Sequence, residues 1–393
     1  MNLPQLYSMN IARPISGFTA DQLIDKLAQA RAQFRALIKG LPADGWLGPH
    51  AEHLNPPLWE AGHIVWFQEC WSLRAQPDGS VAPSLLAGAD GLYDSSTVPH
   101  DSRWNLPLLE PAAVDDYAAR VTAAVSARLR GAPNPELAYY AELCLVHELM
   151  HIEAWRMAFQ HLAYAHPDPR AAELPLPADR LMFSECEVTL GSGPDEGFIF
   201  DNEKWRHGVT VPAFDIDARM ISETDFAAFV DAGGYLRSAE WTEAGWAWRA
   251  DNNATHPVYW RLANGVWQVR RFANWAPLSS HTPMLHVNRF EAEACAAWMG
   301  RHLPTAEQWL RSTQHANFDW GAGWEWMRNA FAPYPGFSAD PYQDYSQPWF
   351  HSHTELRGGG PFTDPLLKRP GFRNFYLPHR RDPFAGFRTV SPA

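Results

Sequence analysis

Apolar residues recur every three or four positions through much of residues 1–163, a spacing that places them on one face of an α-helix. The first such run follows Thr19 and Gln22, whose separation matches a capping box. Three more helices are predicted over 57–76, 112–130 and 134–163. The apolar face of the first helix consists of Leu23, Leu27, Ala30, Phe34 and Leu37.

The order and spacing of these helices predict a four-helix bundle, with a long connection between the second helix and the third. Side chains on facing helices project into the core of such a bundle, where they commonly build metal sites. A metal site is therefore one function that this half of the chain allows.

The pattern changes after the fourth helix. Closely spaced prolines follow, and proline ends a helix because it lacks the backbone N–H and clashes with the preceding turn. Beyond them, short β-like runs such as CEVTLGSG and HGVTVPAFDID alternate with turn residues. Helical patterns return at 223–234 and 288–312, and the chain from about 320 is predicted to be rich in loops. The prolines that mark the change are Pro167, Pro169, Pro175 and Pro177.

These changes of pattern predict three segments. Residues 1–165 form the helical bundle, residues 166–182 form a Pro-rich linker, and residues 183–393 form an irregular α+β domain. Long loops of the last domain are expected to line a pocket, since loops carried on a rigid scaffold are frequent binding elements.

Composition excludes several classes of function. The formal net charge of -12 argues against a general nucleic-acid binder, which needs clustered Lys and Arg to neutralise phosphates. A basic, apolar leader and an apolar run of membrane-spanning length are both missing from the sequence. We therefore expect a cytoplasmic protein without a membrane partner, and protein partners stay undefined. Reduced thiols are expected, because no CxxC pair occurs among Cys70, Cys144, Cys186 and Cys295.

The fourth helix carries His-Glu-Leu-Met-His at 147–151, which matches the H-E-x-x-H signature of zinc hydrolases. His147 and His151 are four residues apart on a helix, so both project from one face and can share one ion. In a zinc hydrolase, Glu148 would be the general base. The extended signature H-E-x-x-H-x-x-G-x-x-H is not continued, because Ala154 and Met157 stand where it requires Gly and His. Besides a zinc hydrolase and another kind of metal site, a packed histidine pair without metal is a third interpretation of this motif.

His63 is a candidate third ligand. It lies in the middle of the apolar stretch WEAGHIVWF, where an unpaired imidazole would be costly to bury. If the predicted second helix, which carries His63, faces the fourth, His63 can bind the same ion as His147 and His151. Imidazole suits iron, zinc, copper and nickel alike, so the ligand set does not name the metal.

The combination of WEAGHIVWFQE, HELMHIEAW and the second half of the chain resembles the ergothioneine sulfoxide synthases and the related selenoneine synthases. In the second half the resemblance rests on FIFDNEKWRHGVTVPAFDID, RHLPTAEQWLRS, GAGWEWMRNAFAPYPGF and LRGGG, in this order. It implies a multidomain fold, with an N-terminal DinB-like four-helix bundle and a C-terminal α+β domain of the formylglycine-generating-enzyme, or C-type-lectin-like, fold.

The resemblance also implies a chemistry. Enzymes of this family use mononuclear non-haem iron(II) and O2 to join a sulfur or selenium donor to the imidazole C2 of hercynine, a trimethylated histidine. The metal ligands would be His63, His147 and His151. Tyr342, in PYQDYS, would donate a proton, with Tyr345 as its neighbour. A phenol suits that role because it donates a hydrogen bond at neutral pH.

The chain departs from the γ-glutamylcysteine-using members of this family at several donor positions. In the loop after the second helix, His100 and Arg103 replace an arginine pair. Near the end, Asn374-Phe375-Tyr376 replaces Asn-Trp-Asp, although Arg380 matches a late arginine, and Met150 replaces a glutamine before the last ligand. An arginine fork matches a carboxylate, so its partial loss favours an uncharged donor.

The sequence therefore predicts a hercynine-modifying iron enzyme that forms a C–Se bond with a selenosugar, as selenoneine synthases do. The alternative function is formation of a C–S bond with cysteine or γ-glutamylcysteine. A zinc hydrolase is a remote alternative. The resemblance implies that hercynine binds between the domains. Phe375 or Trp326 would face its trimethylammonium group, as aromatic rings do in other sites for quaternary ammonium ions, and Asn374 would bind its carboxylate through water.

Overall fold

The computed structural model describes residues 17–39, 41, 43–76, 80–166, 168, 172–175 and 179–391. Its N-terminal part is helical, as predicted. The long predicted connection also contains a short helix, and a 3-10 helix at His100–Asn105. The helices are α1 (Ala20–Ile38), α2 (Pro57–Glu69), α3 (Ala89–Tyr93), α4 (Pro111–Leu129) and α5 (Pro135–His161).

The first helix begins where the sequence predicts. The Thr19 side chain accepts from the backbone N–H of Gln22, and the Gln22 side chain accepts from the backbone N–H of Thr19, so the capping box is confirmed. All five predicted apolar residues of α1 are buried, and so is Arg31. The buried arginine is the one polar residue on this face and requires a partner in the bundle.

Helix α2 is buried on every side. It is a core helix and not an amphipathic surface helix, because apolar residues lie on every side of it and its few polar residues are buried as well. A π-helical turn, Cys70–Arg74, extends it towards the predicted end at residue 76. Polar residues of α2 must therefore find partners inside the protein; Glu69, for example, accepts hydrogen bonds from the hydroxyls of Tyr117 and Ser84.

A glycine in α2 lets another segment approach closely. A Cβ atom on Gly62 would overlap the ring of Tyr93, which is fully buried at the end of α3. Glycine at this position therefore allows Tyr93 to pack directly against α2, beside His63.

The C-terminal part is an α+β structure with several small sheets. A four-stranded sheet has the order β10–β9–β8–β11, in which the β8–β9 and β9–β10 pairs are antiparallel and the β8–β11 pair is parallel. Three other sheets pair β1 with β4, β2 with β3, and β6 with both β5 and β7. The strands are β1 (Arg180–Phe183), β2 (Cys186–Leu190), β3 (His207–Val211), β4 (Phe214–Asp217), β5 (Trp260–Ala263), β6 (Val266–Arg271), β7 (Asn274–Pro277), β8 (Gly323–Ala330), β9 (Thr354–Gly359), β10 (Asn374–Tyr376) and β11 (Ala385–Gly386).

Among the described residues, four α-helices accompany these sheets, and the predicted helical patterns at 223–234 and 288–312 are found. The chain from about 320 is less irregular than predicted, because β8 and β9 form the centre of the largest sheet there. Buried ion pairs stabilise this sheet, such as that of Arg388 with Glu325. The helices are α6 (Glu223–Asp231), α7 (Glu243–Asp251), α8 (Arg289–Trp298) and α9 (Ala306–Ser312).

The described residues divide into two units. The helical unit extends to Ala158 and includes the segment Gly193–Ile199. The second unit contains Phe159–Ser192 and the chain from Phe200 onwards. Seven of the 17 residues of the predicted linker at 166–182 lie outside the described residues, and its boundaries stay a prediction. Within the part of the chain that the structure describes, no helix combines the length and apolar character needed to cross a membrane.

Candidate metal centre and substrate-binding residues

Three histidines meet in the core of the helical unit. His63 comes from α2, and His147 and His151 come from successive turns of α5. One nitrogen of each ring lies within 4.8 Å of the corresponding nitrogens of the other two. The ring centroids are 4.5 Å to 5.2 Å apart. The structure therefore brings together the three histidines that the sequence analysis proposed as one ligand set.

The orientation of His63 leaves one nitrogen available for a metal. Its Nδ1 lies 2.7 Å from the backbone oxygen of Tyr93, and because a carbonyl oxygen can only accept, Nδ1 carries the hydrogen. In the neutral ring the lone pair is then on Nε2. Burial, and then the nearby His151, lower the pKa of His63 well below its ordinary value. The ring is therefore held as a neutral imidazole, which is the form that binds metals.

Aromatic rings hold two of the ligands in place. His63 stacks on Trp59, with ring centroids 4.7 Å apart, and His147 lies flat against Phe67 at 3.6 Å. Burial lowers the pKa of His147 well below its ordinary value, and the neighbouring His151 and His63 add to this effect. His147 is therefore neutral as well, and its ring has little freedom to turn.

A chain of polar side chains leads away from the third ligand. Nδ1 of His151 lies 3.6 Å from Oε1 of Glu60, and that oxygen accepts a hydrogen bond from Asn55 at 2.9 Å. Asn55 in turn accepts a hydrogen bond of 2.6 Å from Nη1 of Arg103, whose guanidinium lies 3.9 Å from the centre of the Trp59 ring. At 3.6 Å the Glu60–His151 contact is electrostatic and not a hydrogen bond. A carboxylate orients a metal-binding histidine when it accepts the ring N–H.

Sequence reasoning missed Asn55, Trp59 and Glu60 as parts of this centre. A signal was present in α2, because Glu60 precedes His63 by three residues and so lies one turn away on a helix. Asn55 had no such signal, since it lies before the helix and its partners are distant in sequence.

Glu148, the potential base of a zinc hydrolase, is engaged elsewhere. Its two carboxylate oxygens accept from Nε and Nη2 of Arg31 at 2.6 Å and 2.9 Å, and both side chains are buried. Glu148 follows His147 directly, and successive residues of a helix project in different directions. The glutamate thus forms an ion pair with α1, while the histidines on either side of it form the candidate metal centre.

The donor set fits a single transition-metal ion. Two of its three imidazoles are held neutral, and carboxylate and aromatic neighbours restrict the rings. Imidazole donors suit iron as well as zinc, copper and nickel, so the residues are compatible with iron(II) and do not select it.

The other predicted residues of the helical unit have the following positions. Met150 is partly buried on α5 beside His151. Arg103 is buried, and besides Asn55 it binds the backbone oxygens of Ser95 and Val98. Burial lowers the pKa of Arg103. The substrate-binding roles of His100, Arg103 and Met150 stay predictions, although internal contacts already occupy the guanidinium of Arg103.

In the second unit, three predicted residues lie together. Tyr342 is partly buried, and its ring centre is 6.0 Å from that of Tyr345. Tyr345 packs edge-on to Phe375 at 5.7 Å, and it stacks on Phe200 at 3.7 Å. Burial raises the pKa of Tyr345 well above its ordinary value, so this residue is a neutral phenol.

Of the remaining predicted residues, Asn374 and Tyr376 lie in β10, Arg380 follows it, and Trp326 lies in β8. The Oδ1 atom of Asn374 accepts from the backbone N–H of Phe375, and the guanidinium of Arg380 lies 5.5 Å from the centre of the Tyr376 ring. Arg380 also forms a two-bond ion pair with Asp382 at 2.5 Å. Trp326 is fully buried and donates to the backbone oxygen of Val287, so it is a core residue and not an exposed face for a ligand.

We expect Glu60→Gln to weaken metal binding about 10- to 100-fold, the usual effect of removing a partner of a metal-binding histidine. The amide keeps the size of the side chain and an acceptor for Asn55, but it removes the negative charge beside His151. Titration of the apo protein with iron(II) under anaerobic conditions measures the effect. Glu110→Gln, an exposed carboxylate just before α4, is the matched control. Equal metal affinities in both variants would contradict the orienting role of Glu60.

We expect Arg31→Ala to lower the free energy of unfolding by about 3–5 kcal/mol, because it leaves the Glu148 carboxylate buried without its partner. Denaturant unfolding measures the change. Arg35→Ala removes an exposed ion pair with Asp115 from the same helix and should cost at most about 1 kcal/mol. If the two variants were equally stable, the buried Arg31–Glu148 pair would contribute no more to the free energy of unfolding than the exposed Arg35–Asp115 pair.

Two family models match the chain. The DinB superfamily matches residues 26–164, and the sulfatase-modifying factor enzyme 1-like domain matches residues 177–323. The first range contains all three histidines, and the second contains much of the second unit. The predicted fold class, a DinB-like bundle followed by a formylglycine-generating-enzyme-like α+β domain, is confirmed.

Similar proteins extend this result to nearly the whole chain. A hercynine oxygenase of Mycobacterium tuberculosis is 32% identical over 425 residues, covering 94% of this chain and 98% of its own. That of Mycolicibacterium thermoresistibile is 31% identical and covers 86% and 87%. A formylglycine-generating enzyme of Streptomyces coelicolor is 31% identical over 38% of this chain and 53% of its own. With both domains matched in order, this chain belongs to the hercynine oxygenase family.

Proposed function

We propose that this protein is an O2-dependent, non-haem iron(II) enzyme that joins the imidazole C2 of hercynine to the selenium of a selenosugar. The observation that carries the proposal is the set of three histidines in the helical unit, with the buried His63 and His147 held neutral, in a chain whose relatives are hercynine oxygenases. The alternative within the same class is a C–S bond formed with cysteine or γ-glutamylcysteine.

Iron(II) bound by three imidazoles would supply O2 activation and electron transfer at its remaining coordination positions. The residues around it have separate tasks. His63, His147 and His151 would hold the ion, Trp59 and Phe67 keep two of the rings from turning, and the Glu60 carboxylate lies 3.6 Å from the third. These contacts preorganise the ligands, so little reorganisation is needed when the metal binds.

The overall reaction replaces the C2–H bond of hercynine and the Se–H bond of the donor by a C2–Se bond. This removes two electrons and two protons from the substrates. The co-substrate O2 accepts them and leaves as hydrogen peroxide or, when selenium is also oxidised to a selenoxide, gives one oxygen atom to selenium and the other to water. We assign to Tyr342 the delivery of a proton during this transfer. It is the more exposed of the two neighbouring tyrosines, whereas Tyr345 is packed between Phe200 and Phe375.

The contacts of two arginines support an uncharged donor. Arg103 and Arg380 match positions at which family members using γ-glutamylcysteine carry arginines. In this protein Arg103 binds Asn55 and two backbone oxygens, and Arg380 is paired with Asp382. A donor carboxylate would have to displace these contacts, whereas a sugar needs hydroxyl partners and aromatic surfaces instead of a guanidinium fork.

A donor comparison tests the proposal. The apo protein is loaded with iron(II) under argon and then mixed with hercynine, air-saturated buffer and either the selenosugar, γ-glutamylcysteine or cysteine. O2 consumption and product mass are followed together, and histidine in place of hercynine is the substrate control. We expect the highest kcat/KM with the selenosugar. A preference for γ-glutamylcysteine would support the sulfur alternative, and a lack of hercynine modification with all three donors would contradict the proposed function.

A further inference from the structure

A second group of possible metal ligands lies at the surface of the helical unit. His50 precedes α2, and His100 and Asp101 begin the 3-10 helix between α3 and α4. Oδ1 of Asp101 lies 3.3 Å from Nε2 of His50 and 3.1 Å from Nδ1 of His100. One ligand atom from each residue lies within 4.8 Å of the other two. Two segments that are distant in sequence therefore bring three possible ligand atoms close enough to share one ion.

A hydrogen bond of the His100 ring with the Leu54 carbonyl determines which ring nitrogen can face Asp101. Nε2 of His100 lies 2.7 Å from the backbone oxygen of Leu54, which can only accept, so Nε2 carries a hydrogen. In the neutral ring, Nδ1 then presents a lone pair to the carboxylate of Asp101. Two acceptors at 3.1 Å repel each other unless a cation, either a second ring proton or a metal ion, lies between them.

Two of the three donor–donor distances match those around a small, four-coordinate metal ion. Zinc binds histidine nitrogen and carboxylate oxygen at about 2.0–2.2 Å, so neighbouring ligands of a tetrahedron are about 3.3 Å apart. The two distances to Oδ1 are 3.1 Å and 3.3 Å. The Leu54 carbonyl is the type of outer partner that metal-binding histidines commonly have. The Trp104 ring, 4.5 Å from that of His50 and 5.3 Å from that of His100, limits their rotation.

We propose that His50, His100 and Asp101 form a second metal site, which binds a divalent transition-metal ion such as zinc and is separate from the buried histidine centre. A bound ion connects the segment before α2 to the 3-10 helix His100–Asn105. Those two segments also carry Asn55 and Arg103, the outer part of the network that reaches His151. The ion therefore stabilises the folded helical unit, because it binds only when both segments are in place.

This proposal gives His100 a role that differs from donor binding. Both of its ring nitrogens have partners within the helical unit, one in the Leu54 carbonyl and the other in Asp101.

Metal titration of the full-length, untagged protein tests the site. After treatment with a chelator, the wild type and the variants His50→Gln and Asp101→Asn are titrated with zinc, and bound metal is counted after gel filtration. Cobalt(II) replaces zinc in a parallel series, in which visible absorption reports four-coordinate binding. His50 and Asp101 are exposed, so neither substitution should disturb the fold. His281→Gln, another exposed histidine, is the matched control.

We expect the wild type and His281→Gln to bind one equivalent more than the two site variants, and to show a metal-dependent rise in Tm that those variants lack. His63→Ala should retain this equivalent, because the two centres share no ligand. If the wild type and the site variants bound equal amounts of zinc, the cluster would be an imidazolium–carboxylate contact only, and the proposal would be overturned. An additional equivalent that survived both substitutions would also overturn it, since the ion would bind elsewhere.

Discussion

Replacing His63 by alanine is expected to abolish binding of the catalytic metal and, with it, all turnover of hercynine. Only His147 and His151 would remain as ligands, both on α5, and the ion would lose its only ligand from a facing helix. The substitution also removes the ring that stacks on Trp59 and binds the Tyr93 carbonyl. Anaerobic iron(II) titration and the hercynine assay measure the two losses, and circular dichroism shows whether the helices persist.

Two further variants make this result specific. His281→Ala removes an exposed histidine of the second unit and should leave iron binding and turnover unchanged. Glu148→Gln should still bind iron, because Glu148 is paired with Arg31 and is not a ligand. A zinc hydrolase predicts the opposite pattern, in which Glu148→Gln eliminates activity and His63→Ala does not. A His63→Ala protein that stayed folded and bound as many equivalents of iron as the wild type would refute the three-histidine centre.

Replacing Tyr342 by phenylalanine is expected to lower kcat for hercynine modification by about 100- to 10,000-fold, the usual contribution of a positioned proton donor. The substitution keeps the aromatic ring and its packing near Tyr345, and removes only the hydroxyl. Iron affinity should not change, because Tyr342 is not among the metal ligands. Single-turnover measurements with saturating hercynine and donor would separate the bond-forming step from substrate binding.

Tyr345→Phe is the matched control for this prediction. Tyr345 is buried against Phe200 and Phe375, and burial keeps its phenol neutral. Loss of its hydroxyl should therefore affect stability more than the chemical step. Equal losses of kcat in the two variants would mean that the tyrosines act as one unit, and an unchanged kcat in Tyr342→Phe would remove Tyr342 from the mechanism.

The helical half of the fold followed closely from the sequence pattern. The Thr19–Gln22 capping box and the apolar face of α1 are local features, and a helix forms its hydrogen bonds within a single segment. The prediction of four main helices was correct for the same reason. Helix α3 was not predicted, because it spans only Ala89–Tyr93 and has too few turns to show a helical period of apolar residues.

The central sheet of the second unit was not predicted. Its strands β8 and β9 carry Glu325, Glu355 and Arg357 in fully buried positions, so they lack the alternation of apolar and polar residues that marks a half-exposed strand. These charges are tolerated because arginines from other segments pair with them, as Arg388 does with Glu325 and Arg373 with Glu355. Pairing between distant residues is a property of the tertiary structure, which a local pattern does not contain.

The sequence by itself determined that His147 and His151 share one face of a helix, because four residues make about one helical turn. It also indicated His63, an imidazole in an apolar helix that required a partner. Only the tertiary structure decided that one nitrogen of each ring lies within 4.8 Å of the other two, that Glu148 pairs with Arg31, and that Glu60 lies beside His151. The physical reason is that helical spacing is fixed by local backbone geometry, whereas the partner of a buried charge depends on which distant segments the packing of the core brings together.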